Sequence, residues 1–306
     1  MPQELQEWLP RSEVLNYDEI TRIIRVGSDL GIHKIRITGG EPLTRRDVLQ
    51  LFRQISALPK ITDIGVSTNG SLLAQQVDSG DTLARALTKL RVRTVNISLD
   101  TLDPEKYRSI TGRDFLQKTL DGIAAAQSAG FDQIKLNAVL MRGRNEDDIP
   151  DLVRFARENG LLLRFIELMP VTSTDVLSES NFLPTAEACR LIENLFGPML
   201  PEPGFKTNGP ALYYRFANSS QRIGFIGAMT NLHFCESCNK LRLTSDGKLR
   251  PCLGSHLEFD IKTPMRQGAD DAKLRRFFLE VVERKPKEHD FRDSYQPGRK
   301  MVAIGG

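Results

Sequence analysis

Cysteines stand at 235, 238 and 252, the first two in a Cys-Glu-Ser-Cys segment and the third after thirteen further residues. Three thiolates brought to one place suit a zinc ion or an iron–sulfur cluster. Between them Leu241 and Leu243 alternate with polar neighbours, Ser245-Asp246-Gly247 reads as a turn, and Leu249 leads into Pro251-Cys252. That pattern predicts a hairpin that returns Cys252 to Cys235 and Cys238. With zinc, His233 is the residue at hand for a fourth ligand. With a four-iron cluster, three cysteines leave one iron open, and the cations Lys240 and Arg242 beside it suit an anionic substrate. Around a zinc knuckle the same cations are a solvated face. The fourth cysteine, Cys189, lies in an apolar helical pattern and reads as a buried thiol.

A second set of candidates is spread along the first half of the chain. Lys34, Arg36 and Thr38 alternate with Ile35 and Ile37, Lys135 and Asn137 alternate with Ile134 and Leu136, and Arg164 interrupts the apolar run from Leu161 to Ile166. Arg36, Ser67, Ser98, Lys135 and Arg164 recur at intervals of about 30 residues, one βα unit per step. Burying such charges unpaired is costly, so cations on several neighbouring strands predict an anion between them, and a polyphosphate fits. The alternative is internal pairing with Glu41, Asp100 or Glu167. Gly39-Gly40-Glu41-Pro42 follows a strand pattern and precedes a helix pattern, as a ligand-approach loop or a plain tight turn would. No single acid, base or nucleophile is identifiable as catalytic.

The elements that must carry these residues alternate. Asn16 followed by Glu19 resembles a helix start. Strand patterns lie near 34–38, 61–68, 94–99, 134–140 and 162–168, with helical stretches near 48–55, 81–90, 115–129 and 148–158. Parallel βαβ units follow, in a barrel or a doubly wound sheet, with the ligand at the carboxyl ends of the strands. The chain opens on a helix, so the first βα unit lacks its front half. Beyond Pro170 come a turn-rich stretch, a helix near 185–195, β segments at 212–216 and 222–226, the cysteine cluster and a helix near 272–283. The 306 residues suit about two domains or one large barrel. With 42 basic and 39 acidic residues the net charge is +3, too small to make nucleic acid or a membrane the main partner. No apolar run approaches the roughly 18 residues of a membrane helix, and no signal pattern opens the chain, so the expected location is cytoplasmic.

Together these segments resemble a family. Trp8-Leu9-Pro10-Arg11, Lys34 to Pro42 (KIRITGGEP), Ser67-Thr68-Asn69-Gly70, Asn96 to Asp103 (NISLDTLD) and Ile110-Thr111-Gly112-Arg113 are its matching segments in the first half. Lys135-Leu136-Asn137, Arg164 to Glu167, Phe234 to Asn239, Leu241 to Cys252, Lys285-Pro286 with His289, and the terminal Gly305-Gly306 complete the series in order. The chain is similar to the GTP 3′,8-cyclases of molybdenum-cofactor biosynthesis, which are radical S-adenosylmethionine (SAM) enzymes. The resemblance implies an incomplete (β/α) TIM-like barrel of the radical SAM type over residues 1–222 and a C-terminal cluster-binding segment over 223–306. It implies a [4Fe-4S] cluster on Cys235, Cys238 and Cys252, whose open iron binds guanine. It implies GTP held by Arg36, Ser67, Lys135, Arg164, Lys240, Leu241 and Arg242, SAM held by Gly40, Ser98 and Met169, and a tail, Gly305 and Gly306, that reaches toward the active site. In the family, SAM cleavage gives a 5′-deoxyadenosyl radical that removes the ribose 3′ hydrogen, and the carbon radical attacks guanine C8. The product passes to a second enzyme that makes cyclic pyranopterin monophosphate. Dimers are common among such barrels.

One departure stands out. The family binds its SAM-reducing cluster with a Cys-x3-Cys-x2-Cys motif, and the 306 residues contain none. In the family that motif is followed by Met-Pro, which here is Met1-Pro2. The expectation is a chain cut just after its third cluster cysteine, with an uncovered barrel edge, poor solubility and no turnover as written. The alternative is a non-catalytic GTP-binding iron–sulfur or zinc protein derived from that family.

Overall fold

The computed structural model describes residues 9–171, 178, 180–292, 295, 298, 299 and 303. Asn16 opens α1 (Tyr17–Asp29) through a reciprocal capping box, accepting from the Glu19 N–H while the Glu19 carboxylate accepts from the Asn16 N–H, each at 2.8 Å. The alternation continues as β1 (Lys34–Ile37), α2 (Val48–Ser56), β2 (Asp63–Thr68), α3 (Leu83–Lys89) and β3 (Val92–Ser98). Next come α4 (Pro104–Thr111), α5 (Leu116–Ala129), β4 (Gln133–Leu140), α6 (Ile149–Glu158) and β5 (Leu162–Glu167). Helix α4 escapes a periodicity reading because it buries a single residue, Tyr107, and is signalled only by the Asp103 cap and Pro104. After α7 (Thr185–Phe196) the chain forms β6 (Met199–Pro201), β7 (Leu212–Phe216) and β8 (Arg222–Ile226). The remainder holds β9 (Arg242–Leu243), β10 (Lys248–Arg250), β11 (Phe259–Asp260), α8 (Lys262–Arg266) and α9 (Asp271–Glu283).

Eight strands make one sheet in the order β1-β2-β3-β4-β5-β8-β7-β6. The pairs from β1 through β5 to β8 are parallel, and β7 and β6 extend the sheet antiparallel. Among the described residues the sheet does not close, so β1 and β6 are its two edges, as in an incomplete barrel. Its outward residues, among them Ile64, Val66, Val95, Ile97, Leu136, Leu163 and Phe165, pack under Phe52, Ile55, Leu87, Ile123 and Val153 of the helices. The inward residues are mostly polar. A loop of the β6–β7 connection reaches over the start of β1 and β2. There Asn208 accepts from Lys34 Nζ at 2.8 Å and donates to the Asp63 carboxylate, which links the two sides of the open sheet.

A second core fixes the C-terminal segment to the barrel. Ile23 and Val26 of α1 pack with Leu249, Ile261, Met265, Leu274, Phe278 and Val281. Ion pairs rim this seam: Arg22 and Arg25 with Asp271, and Arg266 with Glu19. The helix that precedes β1 therefore positions the segment that carries the cysteines.

Candidate functional site

Strand register decides which side chains share the inner face, because alternate residues point the same way. Arg36 lies opposite Gly65, and Ser67 opposite Asn96. Asn96 lies opposite Lys135, Ser98 and Arg164 both opposite Asn137, and Arg164 opposite Gly224. Arg36, Ser67, Ser98, Lys135 and Arg164 are thus all on the face turned away from the helices. Two glycines make the space. A Cβ at Gly65 would stand 2.7 Å from the Arg36 guanidinium carbon, and one at Gly224 would stand 3.0 Å from Arg164 Cγ.

The three barrel cations are close enough to repel one another. Arg36 donates to Thr94 Oγ1 at 2.9 Å and to the Val66 carbonyl, and burial beside Arg164 pulls its pKa down to about 10. Arg164 donates twice to Asn137 Oδ1, at 2.9 and 2.6 Å. Burial lowers its pKa while the Tyr213 hydroxyl beside it opposes that shift. Lys135 is only 1% exposed, and no acceptor reaches its ammonium among the described residues. Burial, then Arg164 and Arg36, bring its pKa down from 10.5 to about 7. Asn96 donates to Ser67 Oγ at 3.2 Å, and its own buried Oδ1 finds no partner among the described residues.

The carboxylates that could have neutralised these cations are committed elsewhere. Glu41 accepts from Leu43 N, Thr68 Oγ1 and Asn69 N. Asp100 accepts from Val139 N. Glu167, fully buried, accepts from the N–H and hydroxyl of both Thr185 and Thr230 and from Met229 N. Each thus holds backbone segments together, and none pairs with Arg36, Lys135 or Arg164. Asp63 is the carboxylate on the inner face that both Arg36 and Lys135 sense.

Gly40 and Met169 lie just past the carboxyl ends of β1 and β5, and Ser98 ends β3, exposed. These three therefore sit on one rim, the carboxyl end of the sheet. Gly305 and Gly306 lie outside the described residues.

The expected hairpin forms: β9 pairs antiparallel with β10, placing Leu243 opposite Leu249 and Arg242 opposite Arg250. Gly247, at φ +83°, closes its turn. Cys252, whose thiol burial pushes up in pKa, senses the charge of both Cys235 and Cys238. Among the described residues, no three His, Cys, Asp or Glu side chains are gathered closely enough to hold one metal ion. His233 turns to Glu236, with Nδ1 2.6 Å from its carboxylate. Lys240 joins the two halves of the site, since it feels Cys238 on one side and Arg36 and Lys34 on the other. The half-buried Arg242 faces Cys238 and Cys252, and Leu241, between Lys240 and Arg242, packs at the edge of the second core. Cys189 is a half-buried thiol of α7 against the barrel core.

Two residues of this region escape the sequence reading. Asn208 sits in a Pro/Gly-rich connector with no periodic signal. Lys285 follows α9 and belongs to a segment that matches the family, but nothing in its local sequence announces that its ammonium lies among the cysteine-bearing loops.

Comparison with known proteins places this architecture. The profile described as "Radical SAM superfamily" matches residues 5–156, and "Molybdenum Cofactor Synthesis C" matches residues 161–291. The crystal structure of Streptococcus suis SuiB superposes with a TM-score of 0.61 at 18% identity, covering 91% of this chain and 62% of that one, a likeness of fold. A GTP 3′,8-cyclase of Moorella thermoacetica is 43% identical over 96% of this chain and 88% of its own length. One of Pelotomaculum thermopropionicum is 39% identical over 100% of this chain and 92% of its own. No helix among the described residues is long and apolar enough to cross a membrane. From its sequence likeness over nearly the whole of both chains, this protein belongs to the GTP 3′,8-cyclase family.

Proposed function

We propose that the chain holds GTP between the inner-face cations and the cysteine trio, for the cyclisation of GTP that opens molybdenum-cofactor biosynthesis. The observation that carries this reading is the set of three cations, half-buried Arg36 and buried Lys135 and Arg164, on one face and with no carboxylate among the described residues bonded to any of them. A triphosphate supplies the missing negative charge, and charge-assisted hydrogen bonds from guanidinium to phosphate are strong and directional. Ser67 adds a hydroxyl on the same face, with Asn96 between it and Lys135. Lys240 and Arg242 extend the cationic surface toward the cysteines, so the nucleobase end of the ligand faces the trio, with Leu241 beside it. Gly40, Ser98 and Met169 on the neighbouring rim are the residues we assign to SAM.

Cys235, Cys238 and Cys252 fit a cluster better than a lone ion, because Lys240 and Arg242 face the thiols, whereas the cations of a zinc knuckle would be a solvated face. His233, engaged with Glu236, does not complete a zinc set. We assign a [4Fe-4S] cluster to the trio; when bound, it supplies an iron with an open position toward guanine. The rest is the chain's own work. The cations fix the triphosphate, the Glu167 staple holds the loop that leads to Cys235, and the register of β1, β4 and β5 sets the distance between them. The Cys-x3-Cys-x2-Cys motif is absent from the 306 residues, so they supply the nucleotide half of the chemistry. The cyclised product goes on to a second enzyme that makes cyclic pyranopterin monophosphate.

Equilibrium GTP binding to the wild-type chain and to Arg164→Ala and Arg36→Ala tests the reading. Each loss removes a charged hydrogen-bond donor and weakens binding by roughly 10- to 100-fold. Unchanged affinity in both variants overturns the assignment.

A further inference from the structure

The segment that follows α9 touches every part of the cysteine site. Lys285 donates to the Lys240 carbonyl at 2.9 Å and to the Pro251 carbonyl at 2.5 Å, and its Nζ lies 3.7 Å from Cys238 Sγ. Those carbonyls belong to the residue two beyond Cys238 and the residue just before Cys252, so one ammonium ties the two cysteine-bearing loops together. His289, buried, packs against Phe234, which precedes Cys235, with ring centroids 5.9 Å apart. The Phe291 N–H donates to His289 Nδ1, which leaves Nε2 as the donor to the Ala228 carbonyl at 2.8 Å, two residues past β8. Asp290 N donates to the Gly254 carbonyl, and Arg292 donates to the carbonyls of Met229 and Asn231. Residues 285–292 therefore clasp the loops on both sides of the trio.

We propose that Lys285 is a positioning residue for the cluster: it sets the spacing of Cys238 and Cys252 and donates an N–H···S hydrogen bond to the Cys238 thiolate. The proposal rests on the assignment of a cluster to the trio and adds a tuning role to it. A cation donating to a ligand sulfur stabilises the more negative, reduced cluster and so raises its reduction potential. Neutral side chains at 285 remove that effect, while the backbone clasp made by His289 and Arg292 remains.

The test uses the full chain reconstituted anaerobically with iron and sulfide, as wild type, Lys285→Gln and Lys285→Arg. Iron content, the rate of iron release to a chelator, the cluster's midpoint potential and the melting temperature of the iron-free chain are measured. For Lys285→Gln the expected result is release about tenfold faster and a lower potential, with the iron-free chain melting near wild type. Lys285→Arg, which keeps a cationic donor, recovers most of the potential. A Gln variant with wild-type potential and release rate overturns the proposal. Should that variant fail to fold, wild-type chain labelled with [15N]lysine decides the matter. A 15N coupling to the reduced cluster that persists in a Lys240→Arg background supports the bond, and its absence overturns it. Failure of the wild-type chain to take up iron overturns the cluster assignment instead, which separates the two claims.

Discussion

Replacing Lys135 by methionine makes the protein more stable, and by an amount that pH controls. The methionine keeps the buried stem and removes the charge. In the fold the lysine pKa stands at about 7 against 10.5 for the ordinary side chain, through burial and then the fields of Arg164 and Arg36. Below pH 7 the group is protonated whether folded or unfolded, and the fold bears the whole penalty, ~5 kcal/mol at about 1.36 kcal/mol per pKa unit. Between pH 7 and 10.5 the unfolded chain binds the proton and the folded chain does not, so this contribution to stability rises with pH. By about pH 9.5 the penalty has fallen to ~1.4 kcal/mol. Urea denaturation of both chains at several pH values reads the difference directly, and subtracting one curve from the other removes the titration of groups common to both. The variant should exceed wild type by several kcal/mol near pH 6, and the gap should close toward pH 10. Saturating GTP should also narrow the gap near pH 6, because the triphosphate stabilises the charged lysine only in wild type. A variant less stable than wild type at pH 6, or a gap that ignores pH, refutes the claim that Lys135 is a buried cation awaiting an anion.

Other outcomes follow from the same geometry. Glu167→Ala strands donors from Thr185, Met229 and Thr230; it should cost about 3 kcal/mol or more in denaturant midpoint experiments, and a loss under about 1 kcal/mol contradicts the staple. Phe278→Ala opens a cavity in the seam between α1 and α9 and should cost about 3–5 kcal/mol; heat or urea unfolding checks it. Gly224→Ala places a methyl 3.0 Å from Arg164 Cγ and 2.7 Å from the Tyr213 ring; displacement of the guanidinium should weaken GTP binding while leaving cluster loading intact. The reconstituted 306-residue chain with SAM and a strong reductant should form no 5′-deoxyadenosine, because its sequence holds one three-cysteine group and no Cys-x3-Cys-x2-Cys; chromatographic detection of that nucleoside at turnover rates contradicts this.

The barrel was legible because its strands carry a period. Alternation at Lys34–Thr38 and Ile134–Asn137 puts the cations on one face of each strand, and the parallel pairing of Asn96 with Lys135 and of Asn137 with Arg164 brings them together. The hairpin before Cys252 was legible from the Asp246-Gly247 turn for the same local reason. What the chain did not reveal was which carboxylates were free. Glu41, Asp100 and Glu167 look like partners for the cations in sequence, and only tertiary structure commits each to backbone donors. The roles of Lys285 and Asn208 were hidden because each acts across more than 30 residues of chain through contacts that leave no periodic trace. The site's cations follow strand periodicity, whereas its clasps follow long-range contact.

In the proposed site one ligand, GTP, spans the barrel cations and the cysteine trio. The direct measurement is the electron paramagnetic resonance spectrum and iron content of the anaerobically reconstituted chain, with and without GTP, in wild type and Arg164→Ala. Iron near four per chain, a spectrum changed by GTP in wild type, and a change that needs far more GTP in Arg164→Ala are the predicted results. Zinc near one per chain, or an iron spectrum indifferent to GTP, contradicts it.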